Sequence, residues 1–533
     1  MNIFMVKIIL PERGFDYELQ ALVTSFFPGQ AVITEIQDKD CKNSSLPTHK
    51  DKDSLLATVS ITLSQYKISA SFCARSFLIS RECFVTGDGD WHKHIDKSTN
   101  PYRTYYKNKL KKLVFELISS FPEDMLPENL IRRIPAWGTM TGVRPVKIIM
   151  EDILKEKDTD IIRKNLKEVY CLDNEKAEFA IQVALNEARL LKQPGYKDGY
   201  SLYIGIPFCP ATCLYCSFTS YPFSKELADA YLKALIKEME YSSHIFEDKK
   251  LSCIYIGGGT PVSLSASQLE TILNALYKYF PADKSIEFTV EAGRPDSITE
   301  EKLNVLRNYG VCRVSVNPQT MQQRTLDIIG RKHTTVQAAE AFKMARDAGF
   351  NNINMDLITG LPGENIKDFA DTLSQIECLG PDSITIHSLV IKRASKLRER
   401  IQENGWTSGI ERAACMEEMF KMGQQFAKEH GYKPYYMYRQ KNSAGCAGST
   451  GQENTGYAKE GKECLYNILI MEEVQTILAM GAGASTKLYN TDTRQTERFA
   501  NVKNVNDYIG RIDEMIGRKK SIYDRLYKKN NGK

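Results

Sequence analysis

A chain of 533 residues with 42% hydrophobic and 26% charged side chains has the balance of a globular protein, long enough for roughly two to four domains. Its 71 basic and 66 acidic residues leave a net charge of +5, too slight a bias to point to nucleic acid or a membrane surface. No apolar run approaches the ~20 residues of a membrane span, the apolar N-terminus is too short for a signal peptide, and 13 cysteines, mostly placed singly, argue against a disulfide framework and for a reducing, cytoplasmic setting.

In chain order, residues 1–120 read as a small α+β domain. Asn2 to Leu10 is strand-like, and Tyr17 to Phe27 has helical spacing that stops at Pro28-Gly29. Leu55–Leu63 and Lys67–Phe77 alternate apolar and polar residues around a break at Ser64-Gln65, as a hairpin does, and Tyr102–Phe121 is a basic amphipathic helix. Residues 121–195 form a bridge, helical in pattern from Arg144 to Lys192.

From Ser201 short apolar strands alternate with helical segments. The strands are Leu202–Ile206, Cys253–Ile256, Ile286–Glu291, Cys312–Val316, Ile353–Ile358 and Ser383–His387; between them lie helices Lys225–Tyr241, Ala266–Phe280, Glu300–Tyr309, Thr335–Ala348 and Ile366–Cys378. Six such units over 196–430 predict a parallel sheet with crossover helices, better suited to a partial or full barrel than to a doubly wound sheet. The alternation stops near Gly431, where a C-terminal domain (431–533) begins.

Only Cys209, Cys213 and Cys216 cluster, directly after the first of these strands. Thiolates with gaps of three and two residues can wrap one face of a cubane iron–sulfur cluster, leaving a fourth iron open to a nitrogen and oxygen ligand. Zinc would want a fourth ligand from a second paired motif, which the chain lacks. A redox Cys213-x-x-Cys216 pair leaves Cys209 unexplained. The spacing therefore favours the cluster.

Other residues carry weaker signals. Gly257-Gly258-Gly259-Thr260 follows the second strand; alone, such a triplet is most simply a tight turn. Glu291 ends the third strand, where an acid is ordinarily just solvated. Gln319 follows the fourth, Arg331 lies twelve residues on, and Asp356 interrupts an apolar strand, where burial would require a partner or ligand. Tyr203 and Tyr215 flank the cysteines, as core or as cover. Gly456-x-x-x-x-Gly461-Lys462 imitates a phosphate-binding loop but ends in Glu463 rather than Ser or Thr.

Taken together, the Cys209–Cys216 segment and the ordered motifs from Ser201 to about Lys396 resemble the radical S-adenosylmethionine (SAM) superfamily. More narrowly they resemble the oxygen-independent coproporphyrinogen III oxidase (coproporphyrinogen dehydrogenase) family, in the branch called HemZ, of which Met140–Pro145 looks like a feature. The resemblance implies a radical SAM partial (β/α)6 barrel between an N-terminal α+β domain with a helical bridge and a small C-terminal domain. It implies a 4Fe-4S cluster on Cys209, Cys213 and Cys216, and SAM held by Tyr203, Tyr215, Gly258, Gly259, Thr260, Glu291, Gln319, Arg331 and Asp356, with a second SAM in some members.

The implied reaction turns two propionates of coproporphyrinogen III into vinyls, giving protoporphyrinogen IX in heme biosynthesis. A 5′-deoxyadenosyl radical takes a hydrogen from the propionate β-carbon; CO2 and a further electron then leave. A reductant such as flavodoxin or ferredoxin is implied. Lys392, Arg393 and Lys396 are candidate carboxylate partners, and Tyr435, Tyr436, Tyr438 and Arg439 offer aromatic and cationic surface. Two departures point elsewhere: Gly205 replaces a family histidine, and Phe218 replaces a fourth cysteine that heme-chaperone relatives also lack. The alternatives are a heme-trafficking protein that keeps cluster and SAM, or a radical SAM enzyme on another substrate. An RNA-binding role for Arg132, Arg133, Arg144 and Lys147 finds no motif to support it.

Overall fold

The computed structural model describes residues 5–37, 55–86, 101–192, 196–197, 199–216, 220–282, 286–391, 397, 399–400, 410–440, 453–491 and 495–527. The chain divides into two compact units: residues 1–184 with 407–414 and 439–453, and residues 185–406 with 415–438 and 454–533.

The first unit is built on a five-stranded sheet in the order β2-β1-β3-β4-β5. Strand β1 (Met5–Leu10) lies parallel to β2 (Ala31–Ile36) and β3 (Leu55–Leu63); β4 (Lys67–Ala74) and β5 (Phe77–Phe84) continue it as antiparallel hairpins. Val6, Ile8 and Leu10 alternate into one face, where helices α1 (Asp16–Phe26) and α2 (Pro101–Ser119) bury Leu19, Leu22, Phe26, Leu110, Val114 and Leu117. The strand expected to run to Phe77 stops at Ala74. Arg75 turns the chain at φ +52°, and Phe77 opens a further strand instead. The expected helical stretch from Arg144 onward is three helices, α3 (Val146–Leu154), α4 (Thr159–Glu168) and α5 (Asn174–Leu191). Asp158 caps α4 by accepting from the Asp160 amide. Arg132 donates to the Ile118 and Phe121 carbonyls rather than facing outward.

In the second unit six parallel strands follow one another in sequence order: β6 (Gly199–Ile206), β9 (Lys250–Gly258), β10 (Glu287–Gly293), β11 (Arg313–Val316), β12 (Ile353–Thr359) and β13 (Ser383–Ser388). The short pair β7 (Phe208–Cys209) and β8 (Tyr221–Pro222) lies between the first two. An order that never reverses is that of a barrel wall, and a doubly wound sheet is excluded. Sequence-encoded caps start the crossover helices. Ser265 and Gln268 form a capping box at α7 (Ala266–Tyr279), Thr334 and Gln337 at α10 (Thr335–Asp347), and Asn365 and Asp368 at α11 (Ile366–Leu379), which Gly380 ends in the left-handed conformation. Helices α6 (Lys225–Ser243) and α8 (Glu300–Asn308) fill the other crossovers, and α9 (Gln323–Ile328) precedes α10 in the same one.

Beyond Gly431 the chain returns to both ends of this wall. Strand β15 (Glu453–Ala458) pairs antiparallel with β13, with β14 (Lys433–Arg439) outside it. At the other end β16 (Thr476–Met480) runs parallel to β6, followed by β17 (Ser485–Tyr489) and β18 (Thr496–Ala500). Behind β16 the fully buried Glu238 of α6 accepts from the Gly481 amide, Asn501 and Tyr508, and stands 3.4 Å from the buried Lys519. Gly456 lies inside β15 with the Tyr436 ring against it, so its sequence likeness to a phosphate loop has no loop behind it. Among the described residues no helix is long and apolar enough to cross a membrane.

Candidate active site at the strand ends

Parallel pairing of β6 with β9 sets the site. Gly205 lies opposite Gly257 and Ile206 opposite Gly258, so the cysteine loop and the glycine turn leave the wall side by side. The Gly259 amide donates to the Ile206 carbonyl at 2.8 Å, and Thr260 to Phe208 at 2.7 Å. The Thr260 hydroxyl stands 3.5 Å from Cys209 Sγ. A Cβ on Gly259 would lie 2.6 Å from the Phe208 carbonyl and 3.0 Å from Cys209 Sγ; one on Gly257 would meet the Tyr255 ring and the Glu291 carboxylate. The triplet is therefore more than a turn: these positions have no room for a side chain. Gly258, at φ +116°, also needs glycine's conformational freedom.

The rest of the cysteine loop is tethered to segments that follow the later strands. The Leu214 amide donates to Ile329, and the Leu397 amide to Leu214. Leu214 and Tyr215 pack on an apolar cluster of Leu326, Ile329, Ile358, Leu361, Leu389 and Leu397. Arg331 gathers this side, donating to the Asn317 carbonyl at 2.6 Å and the Tyr215 hydroxyl at 3.1 Å, with Nη1 3.8 Å from Cys213 Sγ. Burial pushes the Cys209 thiol up, so iron uptake there releases a proton. No three His, Cys, Asp or Glu side chains among the described residues gather around a single metal ion; a cubane sets each thiolate on a different iron and needs no such point. Three thiols on one tethered loop, beside a turn kept free of side chains, suit such a cluster.

Inside the wall the inward-facing residues are polar or aromatic. Tyr203 and Tyr255 stack with Tyr466, from a helix over Leu465–Glu472, at centroid distances of 4.4 to 6.3 Å. Glu287 anchors that helix by accepting from the Leu465 and Tyr466 amides, a carboxylate at a helix N-terminus. Above it, Glu291 accepts from the Tyr255 hydroxyl at 2.5 Å and the Gly258 amide at 3.3 Å; burial raises its carboxyl to about 7. Gln319 is buried at φ +71°, strained for a residue other than glycine, and is pinned by its amide to the Asp356 carbonyl. Asp356 accepts from Asn354 at 2.7 Å and faces His387 Nε2 at 3.9 Å. Burial alone would raise Asp356 and lower His387, but each holds the other charged, and the net shifts run the opposite way. The His387 Nδ1 proton goes to Asn454 Oδ1, which also accepts from the Ser388 amide.

Of the residues singled out in the sequence, Cys209, Cys213, Gly258, Gly259, Thr260 and Glu291 thus meet at one end of the wall. Arg331 and Tyr215 touch the same loop, and Gln319 and Asp356 lie two strands on. Tyr203 sits in the ring stack, one layer below Gly205. Tyr435, Tyr436 and Arg439, expected as surface, are buried instead, because both faces of β14 are covered. Lys392, Arg393, Lys396 and Phe218 lie outside the described residues. Sequence reading passed over Tyr255, His387 and Arg294. Tyr255 had a signal, its period-two phase with Gly257; Tyr466 had none, being brought in from far along the chain.

A six-strand parallel wall with a three-cysteine loop after its first strand defines a radical SAM protein, and the superfamily's sequence profile matches residues 203–376. The chain is 40% identical over 401 residues to the oxygen-independent coproporphyrinogen-III oxidase-like protein HemZ of Bacillus subtilis (strain 168), covering 74% of this chain and 78% of that protein. It is also 31% identical to the heme chaperone HemW of the same organism, over 59% and 76% of the two chains. The coproporphyrinogen III oxidase HemN of Escherichia coli, a radical SAM enzyme, shares the fold at TM-score 0.50 and 22% identity, over 62% of this chain and 73% of that one. The chain belongs to the oxygen-independent coproporphyrinogen III oxidase family of radical SAM proteins, in its HemZ-type branch. Membership implies a 4Fe-4S cluster and SAM.

Proposed function

We propose that the chain carries out oxidative decarboxylation of coproporphyrinogen III, converting two propionates to vinyls. The observation that carries this reading is the convergence of the cysteine loop, glycine turn and Glu291 at the C-terminal ends of parallel strands, where barrel enzymes place their chemistry, with Asp356 near enough to act on Glu291. Cys209, Cys213 and Cys216 hold the cluster. Gly258, Gly259 and Thr260 receive the methionine part of SAM, Glu291 its ribose hydroxyls, and Gln319, Arg331 and Asp356 further contacts; Tyr203 and Tyr215 back the two sides. When bound, cluster and SAM supply the electron and the hydrogen-abstracting radical. A flavodoxin- or ferredoxin-type donor provides the electron.

The chain's own part is to orient a propionate and keep water out. His387, whose pKa the neighbouring Asp356 raises against the effect of burial, stands beside the SAM residues as a group able to carry positive charge; Lys392, Arg393 and Lys396 add charge in the sequence that follows. A second reading, heme trafficking with cluster and SAM retained, is favoured by Phe218 and by the similarity to HemW. The deciding experiment incubates reconstituted protein, SAM and reductant with coproporphyrinogen III under strict anaerobiosis. CO2 release with a vinyl-bearing porphyrin supports the oxidase. SAM cleavage without either product, together with tight stoichiometric heme binding, overturns it in favour of trafficking.

A further inference from the structure

The turn that ends β10 reads Gly293-Arg294-Pro295-Asp296, and Gly293, at φ +67°, bends it back over the cysteine loop. Arg294 is only 3% exposed. Two edges of its guanidinium are used up on Asp296: Nε donates to Oδ1 at 2.9 Å and Nη2 to Oδ2 at 2.6 Å. That bidentate pair fixes the plane of the group. The remaining nitrogen, Nη1, donates to the Ala211 carbonyl at 3.1 Å and points at Cys213 Sγ from 3.5 Å. Arg331 approaches the same sulfur from its own side. One thiol of the three thus faces two guanidinium groups, whereas the other cation-rich stretch of the unit, Lys392–Lys396, lies elsewhere in the sequence.

We propose that Arg294, oriented by Asp296, is a positioning residue that raises the reduction potential of the cluster through Cys213 and so eases its reduction ahead of SAM cleavage. The physics is a charge balance. Reduction adds one negative charge to a cluster already ligated by thiolates, in a half-buried site. A fixed positive charge and an N–H···S contact both favour that added electron. Arginine suits the task because its guanidinium does not lose its proton. Lysine would keep the charge but not the bidentate hold on Asp296. Asp296 acts in the opposite sense, since its carboxylate partly cancels the guanidinium. The proposal rests on Cys213 being a cluster ligand, but not on the identity of the substrate.

The test is an EPR-monitored redox titration of the anaerobically reconstituted full chain without SAM, in wild type, Arg294→Gln, Arg294→Lys and Asp296→Asn. Arg294→Gln should lower the reduced-to-oxidised ratio at a given potential about tenfold, a shift of ~59 mV to more negative values for one electron. Asp296→Asn should move the midpoint the other way, and Arg294→Lys should fall between Gln and wild type. A merely structural role would alter iron content, or move both variants in the same direction. Unmoved midpoints at full iron content, or shifts of equal sign, overturn the proposal. If Arg294→Gln retains no cluster, Asp296→Asn decides: a less negative midpoint supports it, and any other overturns it. A wild-type chain that binds no iron removes the ligand assignment and this proposal with it; a loaded wild type with unmoved variants removes this proposal alone.

Discussion

The Tyr255 hydroxyl donates to Glu291 Oε1 at 2.5 Å, linking neighbouring strands just below the glycine turn. The bond favours the carboxylate but does not win: burial is the larger effect, Asp356 adds its charge, and Glu291 rises to about 7. A carboxyl raised in the folded state holds its proton there at pH values where the unfolded chain has lost it. Its contribution to stability is therefore full below the ordinary glutamate range and is lost as pH climbs through about 7.

SAM binding should show the opposite trend, because ribose hydroxyls need the ionised form as acceptor. Affinity should rise about tenfold between pH 6 and pH 8, with proton release, by anaerobic calorimetry. Glu291→Gln should flatten that profile, Tyr255→Phe should move it to higher pH, and Glu291→Ala should weaken SAM binding with iron content unchanged. A flat wild-type profile would show that Glu291 does not face SAM.

Reconstituted wild type should hold about four irons and four sulfides per chain. Alanine at Cys209, Cys213 or Cys216 should abolish the stable cluster. Gly259→Ala should damage the same property from the neighbouring strand, since its methyl would press on the Phe208 carbonyl and on Cys209. Overpacking of this kind costs about 1–3 kcal/mol where the backbone must give. Equal iron in the triple cysteine variant would refute the assignment.

His387→Gln removes the cation beside Asp356 while leaving the cysteine loop untouched. Substrate binding should weaken by roughly 1.5–3 kcal/mol, the range of one charged hydrogen bond. In wild type, binding should fall as pH rises through the elevated histidine value, a trend the variant should lack. Uncoupled SAM cleavage, followed as 5′-deoxyadenosine, should largely persist; its complete loss would tie His387 to SAM instead.

Lys519→Met removes the one cation that pairs with the fully buried Glu238 among the described residues. Breaking a buried pair from one side costs about 3–5 kcal/mol. The urea midpoint of the second unit should fall accordingly, and adding Glu238→Gln should recover part of the loss.

The six wall strands were legible because each is apolar on the face that helices cover and is bounded by caps such as Ser265 and Asn365 that act locally. Strand β5 was missed for the converse reason: most of its residues are exposed, so no alternation marks it. The site was legible where one loop or turn held the information, as in Cys209–Cys216 and Gly257–Thr260. It was illegible where register decides. Tyr255 meets Glu291, and Arg294 meets Cys213, only because β6, β9 and β10 pair in one order. Tyr436 reads as ordinary aromatic surface until Gly456, from strand β15, closes over it.

Strand β6, which delivers the cysteines, is hydrogen-bonded to β9 on one side and β16 on the other, Tyr200 opposite Thr476. During translation, at ~5–20 residues per second, the second neighbour leaves the ribosome on the order of tens of seconds after the first cysteine. Throughout that interval one flank of β6 is a bare strand edge, open to pairing with other nascent chains. Metal delivered then would meet the three cysteines on a strand paired along one flank only.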